Sequence, residues 1–473
     1  MEIVASPLVK YIYKFLFNGS LTSAGDRIFR SGMWLYLSQA VKLGGVLLII
    51  PLIVIQHGQE ALGVWFSVIA AVSFIHLSDV GMHLPWLNRL TRNYINLSTL
   101  DLSKDIVSGV GLFLLLGVAG FLVIATFGHI AILTSYEVEL FIYLLAVNLF
   151  IFLTKILRSV LRVFNENHKA AQFEAMQDIG IFLVSFIALL FFSVSLTFLA
   201  QLQLSIVVTF FCLAGLRFLS DKRFENIWPS VKDILVIFLK IFPSGRVNLL
   251  STSANALLTN APVLIITGAF GPSAAAVLVG ARNISNIPRQ IMSVFHISSV
   301  PEFSTLYASE DLKGVKDLFR KLLLLTISVN GVAAAAIFMG GPYILENWLN
   351  LTDEKSGILF FYFSIWCITE GVKMVIHESL LGLDSFRLVG KSNIAAAFIS
   401  LIIMYGVDLK ILIVPVALIV VNVFWSIPVL TRGFLLRFND PALSQWLLTI
   451  LIIMFVGVSI VSLFFIGVIA LRW

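Results

Sequence analysis

Apolar residues in this chain fall in blocks of about 20, the length a helix needs to cross a hydrocarbon core about 30 Å thick. The blocks lie at 31–55, 62–86, 106–127, 138–157, 173–194, 199–219, 234–267, 274–300, 320–341, 357–382, 391–407, 410–430 and 445–471. Each predicts a transmembrane helix. The seventh is long and interrupted by Pro243 and Gly245, which predicts an interfacial helix leading into a span near 246–267. The eleventh and twelfth are separated only by Asp408, Leu409 and Lys410. Ahead of the first block, Lys10, Lys14, Arg27 and Arg30 surround Tyr11, Ile12, Phe15, Leu16 and Phe17. That apolar run is too short for a signal peptide and lacks a small-residue cleavage site. Residues 1–30 therefore form either an interfacial amphipathic segment or a loose tail.

The polar gaps orient the blocks, because loops rich in Lys and Arg stay on the cytoplasmic side. Alternate gaps are basic: Arg89, Arg92 and Lys104; Lys155, Arg158, Arg162 and Lys169; Arg217, Lys222, Arg223 and Lys232; Lys313, Lys316, Arg320 and Lys321; Arg387 and Lys391; Arg432 and Arg437. The opposite gaps 56–61, 128–137 and 195–201 contain no Lys or Arg, and 343–357 has only Lys355. The N-terminus is expected in the cytoplasm and Leu471, Arg472 and Trp473 outside. No gap, at about 20 residues for the longest, approaches the ~50 needed for a folded domain.

Composition agrees. Of 473 residues, 59% are hydrophobic and 12% charged, where a soluble chain would carry about a quarter charged. The net charge of +6 then reflects loops against anionic headgroups rather than nucleic acid. Cys212 and Cys367 lie inside apolar blocks and match no metal spacing. No phosphate-cradling loop, metal-spaced His cluster or nucleophile elbow occurs, so an enzyme, a cofactor and a metal are not expected.

Charges inside the blocks are costly and tend to be functional. In the eighth, Arg282, Asn286 (or Ser285), Arg289, Ser293 and His296 recur at helical spacing and share one face, with Pro288 expected to bend the helix. That face should meet an aqueous cavity or paired acids, unless Arg289 snorkels to the surface. In the seventh, Asn248, Ser251 or Thr252, Asn255 and Thr259 form a polar face for sugar hydroxyls or for helix–helix hydrogen bonds. Lys42 sits mid-block in the first, and Asp79, with His76 and His83, closes the second; Lys42 could pair with Asp79. Glu370, Lys373 and His377 share a face of the tenth that Asp384 continues, suited to ion coupling through a proton relay or to a static ion pair. Lys42, Arg282, Arg289 and Lys373 together predict a cationic cavity for a phosphate-bearing substrate, which Arg grips bidentately.

A weak duplication is visible: Pro51 with its Gly-containing gap echoes Pro262 with Gly271, Pro272 and Ser273. Gly63-Val64-Trp65-Phe66, Leu77-Ser78-Asp79-Val80-Gly81 and Asn88-Arg89-Leu90, together with the stretch from Ala281-Arg282 through Pro288, Pro301 and Leu306, resemble polysaccharide flippases. These are the O-antigen, or Wzx-type, transporters of the MATE-like superfamily, with lipid II flippases as relatives. The resemblance implies an all-α polytopic membrane protein with about 12–14 transmembrane helices. It implies two six-helix lobes (31–219 and 234–430) around a central cavity, joined by a basic linker at 220–233. An extra C-terminal helix in 431–473 departs from that core. It further implies residence in the cytoplasmic (inner) membrane, a polyprenyl-diphosphate-linked oligosaccharide as cargo with Arg282 on the diphosphate, and membrane lipids and other polysaccharide-assembly proteins as partners. The competing expectation is an H⁺- or Na⁺-coupled exporter of drugs or small molecules, whose cavity should be acidic and aromatic.

Overall fold

The computed structural model describes residues 23–93, 99–131, 135–164, 166–224, 229–349, 356–383, 385–406, 410–438, 440–450 and 452. Residues 1–22, Lys355, Asp384 and 453–473 lie outside them, and with them most of the amphipathic segment and the thirteenth block. The described residues are helical without a strand, and ten helical stretches among them are long and apolar enough to cross a membrane. The ten reconcile with the blocks. Gly32–Asp79 is one stretch covering the first two, residues 272–308 carry too many polar groups to count, and the last block is mostly undescribed.

The described residues divide into two compact units, 23–287 with 343–349 and 288–342 with 356–452. The division falls inside the eighth helix, because the seventh packs on the N-terminal helices.

In the first unit, α1 (Ser23–Val72) is two helices meeting at Gly58, whose φ of 84° breaks the hydrogen-bond ladder. It runs into a 3₁₀ turn, Ser73–Asp79. Val80 and Gly81, at φ 50° and 68°, then reverse the chain into the short helix α2 (His83–Asn93). The second span therefore ends at Asp79 rather than 86, and His83 belongs to the next element. The unit continues with α3 (Thr99–Ala131), α4 (Ser135–Val163), α5 (Asn167–Phe191), α6 (Leu196–Leu219), α7 (Val231–Phe270) and the start of α8 (Pro272–Ala308). Trp86, Phe113 and Phe152 centre its core. Between helices surrounded by lipid, association rests on van der Waals fit at small residues rather than on the hydrophobic effect. Gly63 meets the Pro272 backbone, and Gly245 admits Met82 where a Cβ would stand 2.4 Å from its Cγ. Gly245 is thus a packing notch. α7 passes both Pro243 and Gly245 as one helix, and its Asn248–Phe270 part is long and apolar enough to cross a membrane, in keeping with a span near 246–267.

The second unit holds the remainder of α8, then α9 (Leu312–Leu349, of which 343–349 group with the first unit), α10 (Ser356–Gly382), α11 (Phe386–Gly406), α12 (Ile413–Val421), a π-helical turn (Asn422–Ser426) and α13 (Ile427–Leu435). Residues 441–450 form a further helix. α10 is buried on nearly every face, so its charged residues meet protein rather than lipid.

Asp440 caps the 441–450 helix, with Pro441 following: Oδ1 accepts from the Ala442 and Leu443 amides at 2.9 and 3.2 Å, while Lys316 Nζ donates to Oδ2 at 2.7 Å. The Lys316 hydrogen bond, then the backbone amides, hold this carboxyl below its usual range. A depressed folded-state pKa contributes stability above the unfolded value, about 3.9, that is lost as pH falls through the folded one. Hydrogen-exchange protection at residues 443–450, measured against the intrinsic rate, should fall below about pH 4. Lys316→Ala raises only the folded-state pKa and should shrink that fall, and a fall of unchanged size would show that Lys316 does not hold Asp440 in its capping role.

Candidate functional site

Each unit carries its own intramembrane polar cluster. In the first, α1 presents Ser38 and Lys42 one turn apart, and α5 presents Glu174 and Asp178 at the same spacing, so the two pairs meet as rungs. Ser38 Oγ donates to Asp178 Oδ2 at 2.5 Å. Lys42 Nζ lies 3.1 Å from that oxygen and 3.8 Å from Glu174 Oε1. From α4, Arg158 Nη1 and Arg162 Nη2 approach Glu174 Oε2 at 3.7 and 4.0 Å. Lys42 is thus paired with α5, not with Asp79.

Asp79 is buried in the turn that ends the second span, its Oδ1 accepting the Gly81 amide at 2.8 Å. Lys155 of α4 acts on it electrostatically. Lys155 is exposed although residues 152–154 and 156–160 around it are buried. Lys155 and Arg158 both lie within α4, which stays helical to Val163.

The α7 face divides. Asn248 Nδ2 donates to the Gly81 carbonyl at 3.0 Å and Thr252 Oγ1 to the Asn248 carbonyl of its own helix, also at 3.0 Å. Asn255 is exposed, and Asn286 of α8 is buried. Arg282 Nη1 donates at 2.5 Å to the Thr259 carbonyl, one residue past the carbonyl that Pro262 deprives of its usual amide donor. This bond aims the guanidinium without cancelling its charge.

In the second unit Glu370 is the hub. Lys373 Nζ lies 2.7 Å from Oε1 and 2.8 Å from Oε2, and Asn422 Nδ2 donates to Oε2 at 2.9 Å. Arg289 acts on Glu370 electrostatically from α8. Asn422 opens the π-helical turn, a local widening that re-aims side chains and often marks function. Lys373 is therefore half of a static pair. His377 stands outside it: Nδ1 faces Glu378 Oε1 at 3.1 Å and Nε2 faces Asn393 Nδ2 at 3.3 Å. His296 meets Thr326 Oγ1 at 2.8 Å.

Glu174, Asp178, Asn393 and Asn422 have no role in the sequence reading. The first two carried a usable signal, an i, i+4 acidic pair inside an apolar block. A lone Asn before a π turn has none.

No family model matches the sequence, and no curated protein matches it. Solved structures do. An inward-facing multidrug resistance MATE family transporter of the MOP superfamily gives a TM-score of 0.63 at 15% identity, covering 88% of this chain and 96% of its own. The outward-facing form gives 0.61 at 14%, covering 89% and 96%. A MATE structure in the bent conformation gives 0.60 at 13%, covering 92% and 99%. The architecture is thus an all-α polytopic membrane fold shared with MATE transporters.

Proposed function

We propose that the protein is a flippase carrying a polyprenyl-diphosphate-linked oligosaccharide across the cytoplasmic membrane by alternating access, its N-terminus in the cytoplasm. The observation that carries this is a surplus of cations over carboxylates in both intramembrane clusters. Lys42, Lys155, Arg158 and Arg162 face Asp79, Glu174 and Asp178 in one. Arg289 and Lys373 face Glu370 in the other. A diphosphate supplies the missing negative charge, whereas a cationic drug would add to the excess. Arg282 and Arg289, whose forked donors suit a phosphate, and the exposed Lys155 are the groups assigned to the phosphates. Asp79 and Glu370 are the carboxylates suited to ion coupling.

The solved multidrug transporters favour a second reading, a cation-coupled exporter of small molecules, and one strain separates the two. Deletion of the gene should strand lipid-linked glycan on the cytoplasmic leaflet and deplete surface glycan. Normal surface glycan with heightened drug sensitivity would favour the exporter. Arg282→Ala at normal protein level should abolish complementation and Arg282→Lys retain part of it, since an ammonium keeps the charge but loses the fork. Full complementation by the alanine variant would remove Arg282 from the site.

A further inference from the structure

Where α4 and α6 end and α5 begins, the first unit has a small cleft that shares only Arg158 with the cluster around Glu174. Leu157, Arg158 and Phe164 line it from α4 and its end, Phe173 from α5, and Arg217 and Phe218 from α6, with the 221–224 turn closing it. Its volume, about 30 Å³, takes a water or two, so a larger ligand must sit at the mouth.

The aromatic rings build the mouth. Phe218 stacks on Phe224 at 4.6 Å, Phe164 lies 6.1 Å from Phe224, and the Arg223 guanidinium covers Phe164 at 3.7 Å from the ring centre. Asp221 fixes Arg223 from the side through Nε and Nη2. Arg217 stands opposite, half-exposed, its Nη2 3.6 Å from Glu166 Oε2, too far for a hydrogen bond. Lys169 holds that carboxylate more closely, at 3.1 Å. At the back, Arg158 is buried with its own acid 3.7 Å away. Three guanidiniums thus line the cleft against one carboxylate, Asp221.

Two features select the ligand. Fork-shaped donors on a planar stack suit a phosphate. Beside Arg217, Leu213, Leu216 and Leu219 of α6 are exposed, so the mouth adjoins apolar surface where acyl chains would lie. We infer that this cleft binds the phosphodiester headgroup of an anionic membrane phospholipid, with Arg217 and Arg223 on the phosphate and the α6 leucines along the chains. The site shares Arg158 with the cluster around Glu174 but none of the groups assigned to the cargo phosphates, and it does not depend on what the cargo is.

Native mass spectrometry of the full chain in detergent, titrated with phosphatidylglycerol, phosphatidylcholine or inorganic phosphate, tests this. Phosphatidylglycerol should be retained in preference to phosphatidylcholine, and millimolar inorganic phosphate should not displace it. Arg217→Gln with Arg223→Gln should weaken phosphatidylglycerol binding about 30-fold, the product of two interfacial cation contacts of about 1 kcal/mol each. Arg217→Lys with Arg223→Lys should recover part of it. An unchanged melting temperature would show that the glutamine variant is folded. If that variant is unfolded, Phe164→Leu, which removes the platform under Arg223, should by itself lower retention severalfold. Equal retention of the two lipids, displacement by inorganic phosphate, or binding unaltered in every folded variant would each overturn the assignment.

Discussion

Glu370→Leu should destabilise the protein by about 3–5 kcal/mol, the cost of removing one partner from a buried ion pair and stranding the other. Glu370 accepts from Lys373 and Asn422 and lies in the field of Arg289, so its loss leaves two cations and an amide facing one another inside α10's packing shell. Lys373→Met should cost far less, because Glu370 keeps Asn422 and Arg289. The double variant should recover most of the single loss, since a well-packed apolar pair often equals a buried ionic one. Thermal unfolding in detergent across the four proteins gives the coupling directly. Equal, small effects of both single changes would mean that water or lipid headgroups reach the pair. A proton-relay role would instead leave Glu370→Gln folded but alter the pH profile of transport.

How far the sequence revealed this arrangement depended on the range of the interaction. Twelve apolar blocks match helices because hydropathy over about 20 residues is a local property that the bilayer enforces. The pairing of their charges is not local. Lys42 reads as a partner for Asp79 because pairing would lower the cost of burying both charges in neighbouring spans, yet the rung that satisfies it comes from Glu174 and Asp178, more than a hundred residues on. A helix presents one face per partner, and which helix becomes that partner follows from packing that no single block encodes. Lys155 shows the same limit: it lies inside the fourth block, but its interaction with Asp79 of another span is not encoded locally. Glu370 with Lys373 was legible as a pair because it lies within one helix. Its third partner, Asn422, comes from another helix and was invisible.

Glycines divide similarly, and Gly81 gives the second large effect. Gly81→Ala should cost about 2–5 kcal/mol, because two penalties coincide there. Its φ of 68° charges an L-residue about 1–2 kcal/mol. The added Cβ would stand 2.2 Å from the Leu249 amide nitrogen and 2.5 Å from the Gly245 carbonyl oxygen, both backbone atoms that cannot swing away. Relieving that contact means shifting α7, and such overpacking costs a further ~1–3 kcal/mol. The same peptide region holds Asp79 through the Gly81 amide and Asn248 through the Gly81 carbonyl, so the shift would also disturb the buried carboxylate. Gly58 supplies the control: its φ is 84°, but a Cβ there would meet nothing within 4 Å. Gly58→Ala should therefore pay only the conformational part, about 1–2 kcal/mol. If thermal unfolding finds the two alanine variants equally stable, the close approach of α7 to the Asp79–Gly81 turn is not part of the folded protein.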